Sequence, residues 1–257
     1  MMRAIGTLSR REMVRFFRQR HRVVGSLAQP LIFWLFLGSG FTASFRPPGL
    51  EGQSYLEYFY PGVLLMLMLF SSIFATITII EDRQQGLLQE VLVAPVSPLA
   101  IVLGKVLGAM GVALLQCLVL LLAVPFLGLT PGPLGALLLL AGLLVTSLGF
   151  TALGFLIAWP MDSTAGFHAV MSVFLMPLWM LSGALFPIDS APTWLWWVMT
   201  LNPVTHALTL IRLPFYLDPA TLLARTDYLL AWLIALAWAG ASLGLAMGRV
   251  RRVEEGG

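Results

Sequence analysis

Charge is scarce in this sequence. Of its 257 residues only 27 are Lys, Arg, Asp or Glu, where a soluble chain carries about a quarter, and the 15 basic residues include a single lysine. Hydrophobic residues make up 59% before the 24 glycines are added. That balance excludes a soluble globular enzyme and a disordered chain. Cysteine occurs once, as Cys117 in an apolar run, so an intramolecular disulfide is excluded and thiol chemistry has no partner. The net charge of +3 is too small to draw nucleic acid. Groupings that carry catalysis are missing as well. His21, His168 and His206 lie far apart, and without a His-x-x-x-His or Cys-x-x-Cys pair no metal site is expected. No Gly-x-Ser-x-Gly elbow occurs. Gly104-Lys105 is not a phosphate loop, because position 99 is Leu and position 106 is Val. No catalytic residue is expected, and ATP would have to act elsewhere.

What the chain does have is long apolar runs. Crossing the hydrocarbon core takes about 20 apolar residues in a helix, and six segments qualify: Val23–Phe45, Tyr58–Ile80, Leu99–Leu127, Leu134–Trp159, Gly166–Phe186 and Tyr228–Gly248. The runs lack the alternation of barrel strands, so the expected fold is all-α, a polytopic membrane protein without a second domain or internal repeat. The first run is preceded by 22 polar and basic residues and is too long for a cleaved signal peptide. Positive charge orients the bundle. Twelve Lys and Arg residues fall on the side of the two termini and only Arg46, Arg212 and Arg225 on the other. Both termini, and the segments 81–98 and 159–165, are therefore expected in the cytoplasm.

Within residues 1–22, Ile5, Leu8, Met13, Phe16 and Phe17 share a broad helical face, with Arg10, Arg11, Arg15, Arg18 and Arg22 mostly opposite. Such a helix either anchors the topology beside anionic lipid or also touches a cytoplasmic partner. Acidic residues all fall in loops or at span ends, which argues against proton- or sodium-driven transport. His168, inside the fifth span, reads as a packing histidine. Ser71, Ser72, Thr76 and Thr78 lie largely on one side of the second span. They either face a translocation path or pack small against neighbouring helices.

Two segments stand apart from ordinary loops. Residues 81–98 open with Glu81-Asp82-Arg83 and continue as a short amphipathic helix. Leu87, Leu88, Val91 and Leu92 form one strip, Gln85, Gln89 and Glu90 face elsewhere, and Pro95 and Pro98 stop it. It is either a docking surface for a cytoplasmic partner or an amphipathic connector. Glu81, Asp82, Arg83, Gly86 and Glu90 are the expected partner contacts or orienters, Gly86 permitting close backbone approach. The outer segment 187–227 holds three tryptophans within Trp194–Trp197, an interfacial anchor, and two short helices separated by Asn202-Pro203. Pro192 suits the first turn of one of them.

In this order and at this spacing the two segments resemble those of permease subunits of ABC-2-type exporters. The likeness runs through Asp82-Arg83, Gly86, Glu90-Val91-Leu92-Val93-Ala94-Pro95-Val96-Ser97 and Gly104-Lys105. It continues through Met176-Pro177-Leu178-Trp179, Leu181 to Pro187, Trp194-Leu195, Leu201-Asn202-Pro203 and Arg212. The most similar branch is the one with daunorubicin-resistance and nodulation-factor exporters, and the likeness covers nearly the whole chain. Pro98 departs from it, since family members often have Arg or Lys there.

The resemblance implies a non-catalytic membrane subunit that binds no cofactor itself, with ATP and Mg on two copies of a cytoplasmic ATP-binding cassette partner. A second permease, identical or related, would complete the pore in the bacterial cytoplasmic (inner) membrane. Residues 82–98, including Ala94, Pro95 and Ser97, would form the coupling helix. Re-entrant helices bearing Pro187, Trp194, Trp197, Asn202, Pro203 and Arg212 would line or gate the outer exit. The cargo expected from apolar, weakly polar spans is a drug-like or lipid-like amphiphile, with Ser71, Ser72 and Thr76 as candidate path residues. A lipid-linked glycan, or a non-transporting assembly factor, remains the alternative.

Overall fold

A computed structural model describes residues 1–41, 54–87 and 97–255. The described residues are almost wholly helical: α1 (Met2–Arg18), α2 (Arg20–Phe41), α3 (Tyr55–Ala75), α4 (Thr78–Gln84), α5 (Pro98–Leu121), α6 (Pro133–Ala158), α7 (Thr164–Trp179), α8 (Thr193–Leu201), α9 (Pro203–Arg212), α10 (Pro219–Ala224) and α11 (Thr226–Glu255). Six stretches are long and apolar enough to cross a membrane, one in each expected run, so the chain is an all-α, multi-pass membrane protein.

Local chemistry sets where these helices begin. Ser54, Ser97 and Ser163 cap α3, α5 and α7 by accepting from the backbone N–H three residues on, while Asn202 and Asp218 cap α9 and α10. Each side chain satisfies a donor that the helix leaves orphaned. Pro98, Pro133, Pro203 and Pro219 follow at the first helical position, where no N–H is needed.

Several ends differ from expectation. The second run is two helices, α3 and α4, broken at Thr76–Ile77. There Thr76 Oγ1 donates to the Ile73 carbonyl and Thr78 Oγ1 to that of Ala75, and such back-bonding bends a helix. The third run leaves the α-helix at Leu121 rather than Leu127, and Val124–Leu127 form a tight turn around Pro125. The fifth ends at Trp179, followed by a wide turn, Met180–Ala184, that Gly183 closes at φ +85°. The sixth extends to Glu255.

The bundle is built around α3, buried along most of its length. Hydrophobic burial gives no gain between helices in lipid, so close packing and interhelical hydrogen bonds must hold them. Trp179 Nε1 donates to the Gly62 carbonyl at 2.8 Å, and Tyr60 Oη to that of Leu120 at 2.7 Å. Leucine and aromatic side chains on α2, α7 and α11 point outward instead, among them Phe36, Phe174 and Leu233.

Candidate functional site

At the arginine-rich end, α1 is seated on α5 of its own chain. The seat is a stripe of glycines: a Cβ on Gly104 would lie 2.6 Å from Leu8 Cβ, and one on Gly108 2.7 Å from Glu12 Cβ. Between them projects Lys105, only 4% exposed. Its Nζ donates to Glu12 at 2.9 Å and also to Asp82. Asp82, 1% exposed, further accepts from Arg11 at 2.9 Å and Arg15 at 2.8 Å, and Arg15 reaches Glu81 at 2.7 Å. Three cations thus face three carboxylates. Buried charges are tolerated only when paired and hydrogen-bonded in this way.

This geometry corrects the expected polarity of α1. Arg11 and Arg15, placed opposite the apolar face by the helical wheel, turn toward Asp82, and Phe17 is 46% exposed while Phe16 is buried. The docking partner is a charged protein surface, so hydrophobicity alone does not choose the inner face. Sequence reasoning missed Glu12 and the glycine stripe, and met Lys105 in the family likeness without its place in this joint. The available signals were a lone acid in an arginine run, the single lysine of the chain, and glycines at 104, 108 and 111, one face of a helix.

Arg83 points the other way. It donates to the carbonyls of Met161, at 3.0 Å, and Trp159, and pairs with Asp162 at 3.0 Å, while Gln84 Nε2 donates to the Asp162 carbonyl at 2.7 Å. Glu81, Asp82 and Arg83 are therefore all bonded within the chain, tying the start of segment 81–98 to α1, α5 and the turn after α6. Gly86 adopts φ +77° with nothing near its missing side chain, a turn that favours glycine. Ser97 caps α5. Glu90, Ala94 and Pro95 lie outside the described residues.

Beside this joint, α1, α2, α3 and α7 enclose a cavity of about 430 Å³, with Phe70, Phe74 and Met66 on its walls and Arg22, Gln29 and His168 among its polar groups. Arg22 Nη2 donates to the Phe74 carbonyl at 2.9 Å, and the His168 ring lies 5.0 Å from that of Phe74. Of the three path candidates, Ser71 lines the cavity and donates to Gln116. Ser72 and Thr76 do not reach it. Ser72 is fully buried, and Thr76 packs where a Cβ on Gly154 would meet its Oγ1 at 2.9 Å.

The opposite end divides its candidates into two groups. Pro187 and Arg212 line a second pocket of about 430 Å³ with Tyr58, Asp189 and His206. Trp194 and Trp197 are outside it, 68% and 56% exposed on α8. Asn202 and Pro203 form the joint between α8 and α9, where Asn202 Nδ2 holds the Leu178 carbonyl at 2.6 Å. Tyr216 fastens α3 to this end by donating to the Glu57 carbonyl at 2.9 Å, and burial pushes its phenol up to about 12. Among the described residues no group of three His, Cys, Asp or Glu side chains converges on a metal-sized site.

Six apolar spans, an amphiphilic cavity and a charged joint below it define the membrane subunit of a transporter. The chain belongs to the ABC-2 type transporter family, whose sequence model matches residues 3–216. It is 30% identical over 208 residues to ycf38 of Cyanophora paradoxa, named as a transport permease, covering 80% of this chain and 71% of that one. Nodulation protein J of Rhizobium leguminosarum bv. viciae is 27% identical over 192 residues, covering 74% and 73%. YbhR of Escherichia coli K12, named as a multidrug ABC transporter permease, is 27% identical over 175 residues, 65% of this chain and 46% of that protein.

Proposed function

We propose that this permease exports an amphiphilic, drug-like or lipid-like molecule across the bacterial cytoplasmic membrane, driven by ATP hydrolysis on a separate cassette subunit. The observation that carries this reading is the cavity between α1, α2, α3 and α7: aromatic walls for a tail, and Arg22, Gln29, Ser71 and His168 for a polar head. Its position next to Glu81 supports a direct mechanical link to segment 81–98. In this reading the arginine-rich end and both termini are cytoplasmic, in keeping with the distribution of positive charge. Two cassette subunits dock on segments 81–98 of two permeases, identical or related. Closure of the ATPase pair moves that segment, and the ion pairs at Asp82 and Glu81 carry the motion into α1 and α5. The pocket at Arg212 belongs to the outer exit. YbhR is named as a multidrug ABC transporter permease, and the aromatic walls here favour an amphiphile over a free ion.

The test is a mild-detergent pull-down of the tagged protein from its native membrane, with mass spectrometry of the co-purifying proteins and Glu90→Arg run in parallel. A stoichiometric ATP-binding cassette protein, lost or reduced in the variant, is the expected result. No cassette protein even after crosslinking through residues 81–98 would overturn the reading.

A further inference from the structure

Arg212 leaves one edge of its guanidinium unused. Its side chain leaves the last residue of α9 and lies over the Tyr58 ring, 4.4 Å from the centroid, with Nη1 donating to the Tyr58 hydroxyl at 3.4 Å. Nε and Nη2 are buried and have no hydrogen-bond partner among the described residues. Those two nitrogens form one side of the planar fork, whose parallel N–H bonds match the two oxygens of a single carboxylate or phosphate. Leaving charged donors unpaired away from water is costly. A group that satisfies both donors at once is an oxyanion by shape and by charge.

The surroundings agree. Leu208, Leu213 and Leu230 give the pocket an apolar bed. The hydroxyls of Ser182, Thr205 and Thr209 already donate to the carbonyls of Trp179, Met199 and Thr205, and His206 Nε2 lies 3.0 Å from that of Thr200. Of the two carboxylates on the wall, Asp227 is held by Arg225 at 2.6 Å. Asp189 sits on the exposed turn Ile188–Ser190 without an ion pair among the described residues.

We propose that the free edge of Arg212 receives the acidic head of an amphiphile, a carboxylate or phosphate borne on an apolar tail, with Asp189 as its built-in competitor. Because Nε and Nη2 are buried, the guanidinium swings outward to meet the head while the tail lies along Leu208, Leu213 and Leu230. That the head belongs to the exported molecule rests on the reading above; the seat itself rests on the geometry of Arg212.

The experiment uses the purified full chain in phosphatidylcholine nanodiscs, without any ATPase, titrated with octyl phosphate. The readouts are tryptophan fluorescence, since Trp194, Trp196 and Trp197 lie on α8, the helix whose Thr200 lines the pocket, and thermal stability. Saturable binding is expected, with octyl maltoside giving none. Arg212→Gln should weaken it at least tenfold. Arg212→Lys, which keeps the charge and loses the fork, should weaken it severalfold, and Asp189→Asn should tighten it two- to threefold. A parallel arm replaces the lipid with phosphatidylglycerol. If a bilayer headgroup supplies the oxyanion, stability rises in the wild type and not in Arg212→Gln; if a soluble amphiphile supplies it, only the octyl phosphate arm responds. Either result supports the seat. Absence of saturable binding, or binding equal in wild type and all three variants, overturns it. A failed pull-down leaves this titration unaffected, so the two readings fall separately.

Discussion

Lys105 sits where removing one charged group strands a buried carboxylate. Its ammonium is the shared partner of Glu12 and Asp82, all three buried. Replacement by Met keeps the volume and removes the charge, leaving Glu12 without its cation and Asp82 with its two arginines only. Breaking a buried pair in this way costs about 3–5 kcal/mol, which should appear as a lower midpoint in thermal unfolding of Lys105→Met in detergent. Lys105→Met with Glu12→Gln should recover part of the loss. If Lys105→Met melts like the wild type, the pairs contribute nothing to stability. Half of this joint was legible in the sequence. Glu81, Asp82 and Arg83 stand out because charges are rare beside an apolar run. Their partners did not, because Arg11 and Arg15 read equally well as lipid-facing, and the contact with Asp82 spans about 70 residues of chain that no local periodicity reports.

At the scale of the helix, α1 is held by complementary shape as much as by charge. A side chain at Gly108 would collide with Glu12 Cβ and with the Ser9 carbonyl at 2.9 Å, and backbone cannot give way as a flexible side chain does. Gly108→Leu is therefore expected to lift α1 from α5 at about 1–3 kcal/mol and to expose its arginines. Limited trypsin digestion of membranes should cut at Arg11 and Arg15 several times faster in the variant. Unchanged protection would mean that α1 is held by its ion pairs alone. The six spans were legible because each is a run long enough to cross the bilayer. Their internal breaks were not. Thr76 and Gly183 decide where α3 and the turn after α7 bend, through a hydroxyl bonded to Ile73 and a positive φ. Neither lowers the hydrophobicity of its run enough to interrupt it.

The molecule as a whole leaves two kinds of apolar surface. On α7, Val170, Val173 and Phe174 are 37%, 68% and 60% exposed. They belong to the helix that also lines the cavity through His168. On α11, Leu233, Leu236 and Leu245 are 67%, 54% and 62% exposed, on a helix that contributes nothing to that cavity. A translocation path must run the full depth of the bilayer, further than this one cavity, and the apolar face of α7 beside it is uncovered among the described residues. A second permease is therefore expected across the α2 and α7 faces, with α11 left to lipid. None of this was visible in composition, because a lipid-facing leucine and a leucine facing a second copy are the same residue in the same apolar solvent. The native Cys117 is fully buried and will stay silent in a cysteine scan. Oxidative crosslinking in membranes should give dimers from Cys substitutions at Val170, Val173 or Phe174 and monomers from those at Leu233, Leu236 or Leu245. The reverse pattern would place the second copy against α11, and the cavity would then open sideways into the bilayer, from which a lipid-like cargo enters without crossing water.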